Sequence, residues 1–171
     1  SRIIKMGGNR LDQMICDAVK RKYNILIGLK TAEHIKCKLS DAMYNEDEDL
    51  EEELLYVYGR NVITGLPSER GVSKDTIYEA IKQFFDDIIE SIKNLLERTP
   101  PELTADIMDI GLYLTGASSA ISNLDKLIAE ETELKVNTVK NPGESVIRGI
   151  SMIMSDSSFK KLMYEPRESS F

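Results

Sequence analysis

Residues 95–116 read LLERTPPELTADIMDIGLYLTG, and the parsing of this stretch decides the architecture. Leu95 and Leu96 close an apolar series, Ile77, Ile81, Phe84, Phe85, Ile88, Ile89 and Ile92, at three- and four-residue intervals. A helix of about six turns therefore enters the stretch, with Ser73 as its candidate N-cap. Asp86, Asp87 and Glu90 fall largely on its polar side and read as a solvated face rather than an acid/base group. Pro100 and Pro101 suit a first helical turn, whose amides lack partners in any case, and Glu102 stands three residues after Thr99 as in a capping box. The helix they open is expected to end near Met108. Gly111 breaks it, and Leu112-Tyr113-Leu114 forms a brief buried strand ending at Thr115-Gly116.

Beyond Gly116, Ser122 and Asp125 bracket another helical start, with Leu124, Leu127 and Ile128 inside. Val136 to Val139 is strand-like, Asn141-Pro142-Gly143 is a turn, and Val146, Ile147, Ile150 and Ile153 mark a last helix. Helix, strand, helix, strand, helix is the alternation of an α/β layer. The tail, 155–171, carries Ser, Pro and charge with few apolar residues and is expected to be loosely held.

Ahead of the long helix, Ile3-Ile4 reads as the end of a strand that turns through Gly7-Gly8-Asn9 into a helix. Leu11, Met14, Ile15, Ala18 and Val19 carry that helix to about Tyr23. Thr31 is the expected cap of a second helix containing Ile35 and Leu39. Leu54 to Tyr58 and Val62 to Thr64 read as strands around a Gly59-Arg60-Asn61 turn, with a further strand through Glu69 to Val72. The acidic run NEDEDLEEE, 45–53, is a solvated loop between elements; it lacks the glycine-centred spacing of a calcium loop.

Composition narrows the function classes. A chain of 171 residues with 42% hydrophobic and 30% charged content can bury a real core. Its net charge of −7 opposes nucleic-acid binding, which needs a basic face. No apolar run is long enough for a membrane span, so a soluble intracellular protein is the expectation. Cys16, Cys37 and the single histidine, His34, supply neither a zinc set nor a disulfide framework. No nucleophile-plus-base set and no Walker-type loop can be assembled. The positions with chemical promise are the two glycine turns, Gly7-Gly8-Asn9 and Thr115-Gly116-Ala117-Ser118, because ligands of α/β layers bind where a strand hands over to a turn. A start at Ser1 rather than Met points to processing or to a piece of a longer protein.

The stretch ERTPPELTADIMDIGLYLTG, with VKRKYNILIG, KTAEHIK, GRNVITGLP and LDKLIAEET in the same order, resembles the carboxyl-terminal half of MreB, the bacterial actin homologue that determines rod shape. The resemblance runs to about Met154. It implies an α/β fold, the second lobe of an actin-like ATPase: a ribonuclease H-like inner subdomain with a smaller α+β outer one. On that basis 1–8 is the end of an inner strand, 9–80 the outer subdomain, 81–154 the inner subdomain and 155–171 the tail. It further implies a parent that binds ATP with Mg, hydrolyses it slowly and polymerises into cytoplasmic filaments at the inner face of the membrane. There it would meet membrane-anchored shape-complex proteins, with membrane contact through the missing half. One face of the adenosine would be lined by Thr31, Ala32 and Glu33 and by Gly116, Ala117 and Ser118.

Three departures from the family pattern bear on that site. Ala117 and Ser118 stand where the family usually has glycines, Leu29 where it has an acidic residue facing the ribose, and Glu133 where it has a helix-ending glycine. Loss of the ribose acceptor would cost on the order of 1 kcal/mol, so weakened adenosine binding is implied. The family's phosphate hairpins and catalytic acid would precede Ser1, so this chain alone is expected not to hydrolyse ATP. Two other classes stand beside the filament subunit: a non-polymerising ATPase or chaperone of the same superfamily, and an inert or interaction-only half from a split gene.

Overall fold

The computed structural model describes residues 1–45 and 54–162. The elements run α1 (Gly8–Tyr23), β1 (Ile25–Leu26), α2 (Leu29–Leu39), β2 (Leu54–Asn61), β3 (Pro67–Ser73), α3 (Lys74–Glu97), α4 (Pro101–Ile110), β4 (Leu112–Leu114), α5 (Leu124–Thr132), β5 (Val136–Thr138) and α6 (Ser145–Ser155), with short 3-10 turns at Ala117–Ala120, Pro142–Glu144 and Ser157–Leu162. The remaining acidic run and the end of the tail lie outside the described residues.

The periodic apolar positions do what their spacing demands. Leu11, Ile15 and Val19 of α1, Ala32, Ile35 and Leu39 of α2, and Ile77, Ile81, Phe84, Phe85 and Ile89 of α3 join one core that Leu124 and Ile128 of α5 complete. Burial of a large aliphatic or aromatic side chain contributes about 1.5–3 kcal/mol, so this cluster dominates the stability of the chain. The acidic face of α3 is solvated as expected: Asp86 and Glu90 are exposed. The subdomain boundary expected at residue 80 falls inside this unbroken helix.

The antiparallel sheet β1-β2-β3 differs from its expected form. Gly59 is not a turn residue. It lies within β2, whose register pairs Leu26 with Arg60 and Ile25 with Asn61. A methyl at Gly59 would overlap the Leu26 carbonyl and approach Ile25 Cγ1 to 2.7 Å, so the glycine is there to let β1 come close. The turn sits five residues later. Asn61 Oδ1 accepts from the amides of Ile63 (2.8 Å) and Thr64 (3.0 Å), and Gly65 takes φ 73° before β3 begins.

Local caps also shift. Residues 1–7 form no strand, and Ile3 is 88% exposed: among the described residues nothing pairs with its backbone. Helix α2 is preceded by Gly28 rather than capped by Thr31, which falls inside the helix. Ser73 does hold the N-cap position of α3, but its hydroxyl lies against Tyr23 and Thr76. Thr99 makes no capping box with Glu102; its hydroxyl donates to Leu95 O at 2.7 Å, a last-turn carbonyl of α3 that also accepts from Arg98 N, and α4 starts after Pro100.

The second half alternates as the sequence predicts. β4 and β5 pair in parallel, Leu112 with Val136 through Leu114 with Thr138, and α5 supplies the crossover. Glu133 ends α5 at φ 56°, the left-handed position where glycine is easiest. Helices α4 and α6 bury no residue. Leu103, Met108 and Ile110 on the first, and Val146, Ile147, Met152 and Met154 on the second, are each more than half exposed.

Candidate functional site: a cleft between α1, α2 and the turn after β4

A cleft of about 440 Å³ opens where three segments distant in sequence meet. The start of α1 contributes Gly8 and Asn9, one face of α2 contributes Glu33, Lys36, Cys37 and Ser40, and the turn after β4 contributes Ala117, Ser118 and 120–122. Its size suits a small organic ligand.

Helical geometry sorts the residues of α2. At 3.6 residues per turn, positions 33, 36, 37 and 40 share a face, whereas 32, 35 and 39 share an adjoining one. Glu33 accordingly borders the cleft, while Ala32 is fully buried in the core and Thr31 does not reach the cleft lining. Of the six residues expected from the resemblance, the structure gathers Glu33, Ala117 and Ser118 at one opening. Gly116 acts through the backbone: at φ 92° it makes the bend that presents the next two residues, a conformation disfavoured for residues with a Cβ. The bend is held by Gly116 N donating to Pro142 O (3.0 Å) and Thr115 Oγ1 donating to the same oxygen (3.2 Å). Leu29, 57% exposed at the start of α2, is not part of the lining.

Lys36, Cys37 and Ser40 were not placed in this site from the sequence, although stepping one and two turns onward from Glu33 finds them. Lys36 Nζ donates to Asp12 Oδ1 at 2.7 Å and to Gly8 O at 3.3 Å, with the two side chains only 14% and 9% exposed. The pair fastens α2 to α1 and neutralises the one cation of the lining. The cleft lining thus carries no free positive charge, and its walls mix polar and apolar groups. Cys37 is an exposed free thiol on the rim; Cys16 is half-buried, and burial pushes its thiol up, with Asp17 and Asp12 adding to the effect. Among the described residues no cluster of His, Cys, Asp and Glu could hold a metal ion, and no helix is long and apolar enough to cross a membrane.

Known proteins resemble this chain over most of its length. The MreB/Mbl protein family matches residues 1–162. The cell shape-determining protein Mbl of Bacillus subtilis is 37% identical over 153 residues, 90% of this chain and 45% of its own length. The cell shape-determining protein MreB of Escherichia coli is 38% identical over 146 residues, 85% of this chain and 41% of its own length. The crystal structure of MreB5 of Spiroplasma citri bound to ADP superimposes with a TM-score of 0.83 at 32% identity, covering 94% of this chain and 47% of that one. The chain spans about half the length of the curated relatives it matches, and its fold corresponds to part of their actin-like fold. With the family match extending over almost the whole sequence and relatives above 30% identity covering most of it, the chain belongs to the MreB/Mbl family.

Proposed function

We propose that this chain is one lobe of a nucleotide-binding, filament-forming cytoskeletal protein that determines cell shape, and that its cleft takes the adenosine end of the nucleotide. The observation that carries the reading is the convergence of Glu33, Ala117 and Ser118 on one cleft, from segments 84 residues apart by the difference between positions 33 and 117. MreB5, similar over 94% of this chain, has been crystallised with ADP and with AMPPNP. The absence of a free cation in the lining favours the nucleoside over the phosphates, so triphosphate and Mg would be held mainly by the rest of a full-length subunit. ATP binding by this chain alone is accordingly weak, and hydrolysis by it alone is absent. Self-association into filaments at the inner face of the membrane, in contact with membrane-anchored shape-complex proteins, belongs to the same proposal.

Cys37 provides the test. Its thiol sits on the cleft rim, and the chain's other cysteine is a built-in control. Millimolar ADP is expected to slow alkylation of Cys37 at least about fivefold, which corresponds to roughly four-fifths occupancy, while leaving Cys16 unchanged. Equal labelling of Cys37 with and without ADP would refute the cleft as the nucleotide site. Sedimentation of the full-length protein with ATP tests the filament reading separately; failure to pellet under polymerising conditions would overturn it.

A further inference from the structure

We infer that Ser40 is the residue through which this cleft binds the polar edge of a nucleobase; the inference rests on the nucleotide reading above and deepens it. Ser40 follows the last turn of α2 and is 5% exposed. Among the described residues, its Oγ is the one buried side-chain oxygen or nitrogen without a hydrogen-bond partner. Buried hydroxyls are almost always paired, so an orphan bordering a cleft calls for a partner that comes from outside the chain. The backbone offers no explanation for it, since Ser40 N already donates to Lys36 O at 3.1 Å.

Its position selects the kind of partner. The exit of α2 is tied to the turn after β4: Ala42 N donates to Ser122 O (2.9 Å), Asn123 Nδ2 donates to Asp41 Oδ1 (2.7 Å), and Asp41 bridges Ser122 in parallel register. Ser40 therefore stands at the seam where two walls of the cleft meet, and that turn contributes Ala120 and Ile121 to the lining. The charged groups on α2 lie toward the other end, Lys36 about 6 Å and Glu33 about 10 Å along the helix axis. The Ala120–Ile121 patch, between Ser118 and Ser122, suits a flat aromatic ring that stacks on it and presents its edge to Ser40. A ribose would find its partners toward Glu33 instead. Serine both donates and accepts, and its single side-chain torsion moves the hydroxyl among staggered positions without disturbing the backbone, so it can turn from its shielded position toward a bound base.

A role in binding and a role in folding predict opposite signs for the same substitution. Removing an unpaired buried hydroxyl does not weaken the free protein, whereas removing the partner of a bound base weakens the complex. Ser40→Ala and Ser40→Gly are each compared with wild type by thermal melting without ligand and by ADP titration. The Tm of Ser40→Ala is expected to be equal to or above that of wild type, and both variants are expected to bind ADP about five- to tenfold more weakly. The same loss is expected with 2′-deoxy-ADP and 3′-deoxy-ADP. Unchanged ADP affinity in a folded variant overturns the inference and leaves the nucleotide reading standing. A loss that vanishes with either deoxy analogue moves the contact to the ribose and overturns the assignment to the base. No ADP binding by wild type overturns the nucleotide reading itself and this inference with it.

Discussion

Replacing Lys36 with methionine tests what holds α2 in place. Methionine keeps much of the length and all of the apolar stem, so the change isolates the charge. The wild-type ammonium is 2.7 Å from Asp12 Oδ1, and both side chains are well shielded. Breaking a buried pair by removing one partner costs about 3–5 kcal/mol, because the remaining charge is left in a poor medium. The expected loss for Lys36→Met is therefore about 3–4 kcal/mol, a large part of the stability of a domain of this size. Urea unfolding followed by far-UV circular dichroism measures it as a lower midpoint. Adding Asp12→Asn to Lys36→Met removes the stranded charge and should return part of the loss. A single-variant loss below about 1 kcal/mol, or a double variant worse than the sum of its singles, would refute the view that this pair fastens α2 to α1.

Other expectations are local. Gly59→Ala places a methyl against the Leu26 carbonyl and Ile25, and should cost about 2–3 kcal/mol by forcing β1 away from β2, read in the same urea assay. For pH, burial pushes the Asp75 carboxyl up, but hydrogen bonds from Lys22, Ser73 and Thr76 outweigh that effect and hold it below the usual carboxylate value. A folded-state value below the unfolded one means the contribution is present above the unfolded pKa and is lost as pH falls through the folded value. Asp75→Asn should therefore lower the urea midpoint at pH 6 and leave it little changed at pH 3; equal effects at both would exclude the ion pair with Lys22 as their source. The exposed apolar side chains of α6 should make the 171-residue chain associate as its concentration rises. Ile147→Lys with Met154→Lys should shift its sedimentation toward monomer, and a wild-type chain that stays monomeric throughout would contradict that expectation.

What was legible in the sequence was whatever depends on a residue and its near neighbours. The series from Ile77 to Ile89 specifies an amphipathic helix because residues three and four apart share a face, and α3 carries it. The prolines at 100 and 101 and the glycine at 111 bound α4 because their backbone preferences need no tertiary partner. The alternation after residue 98 becomes the parallel pair β4-β5 with α5 between. Of the candidate site, Glu33, Ala117 and Ser118 were identified by resemblance, and helical periodicity could have added Lys36, Cys37 and Ser40.

The rest was decided by contacts between distant segments. Gly59 looks like a turn until β1, two residues long, is seen lying against it, and two residues are too few to show a period. Thr99 looks like a cap until the open end of α3 takes its hydroxyl. Local sequence fixes which groups a residue offers, but only packing decides which other groups come within reach. The pairing of Lys36 with Asp12 and the isolation of the Ser40 hydroxyl are tertiary facts in that sense. Both lie where α2 is pressed between α1 and the turn after β4, and there the burial of polar groups makes each partner, or its absence, count.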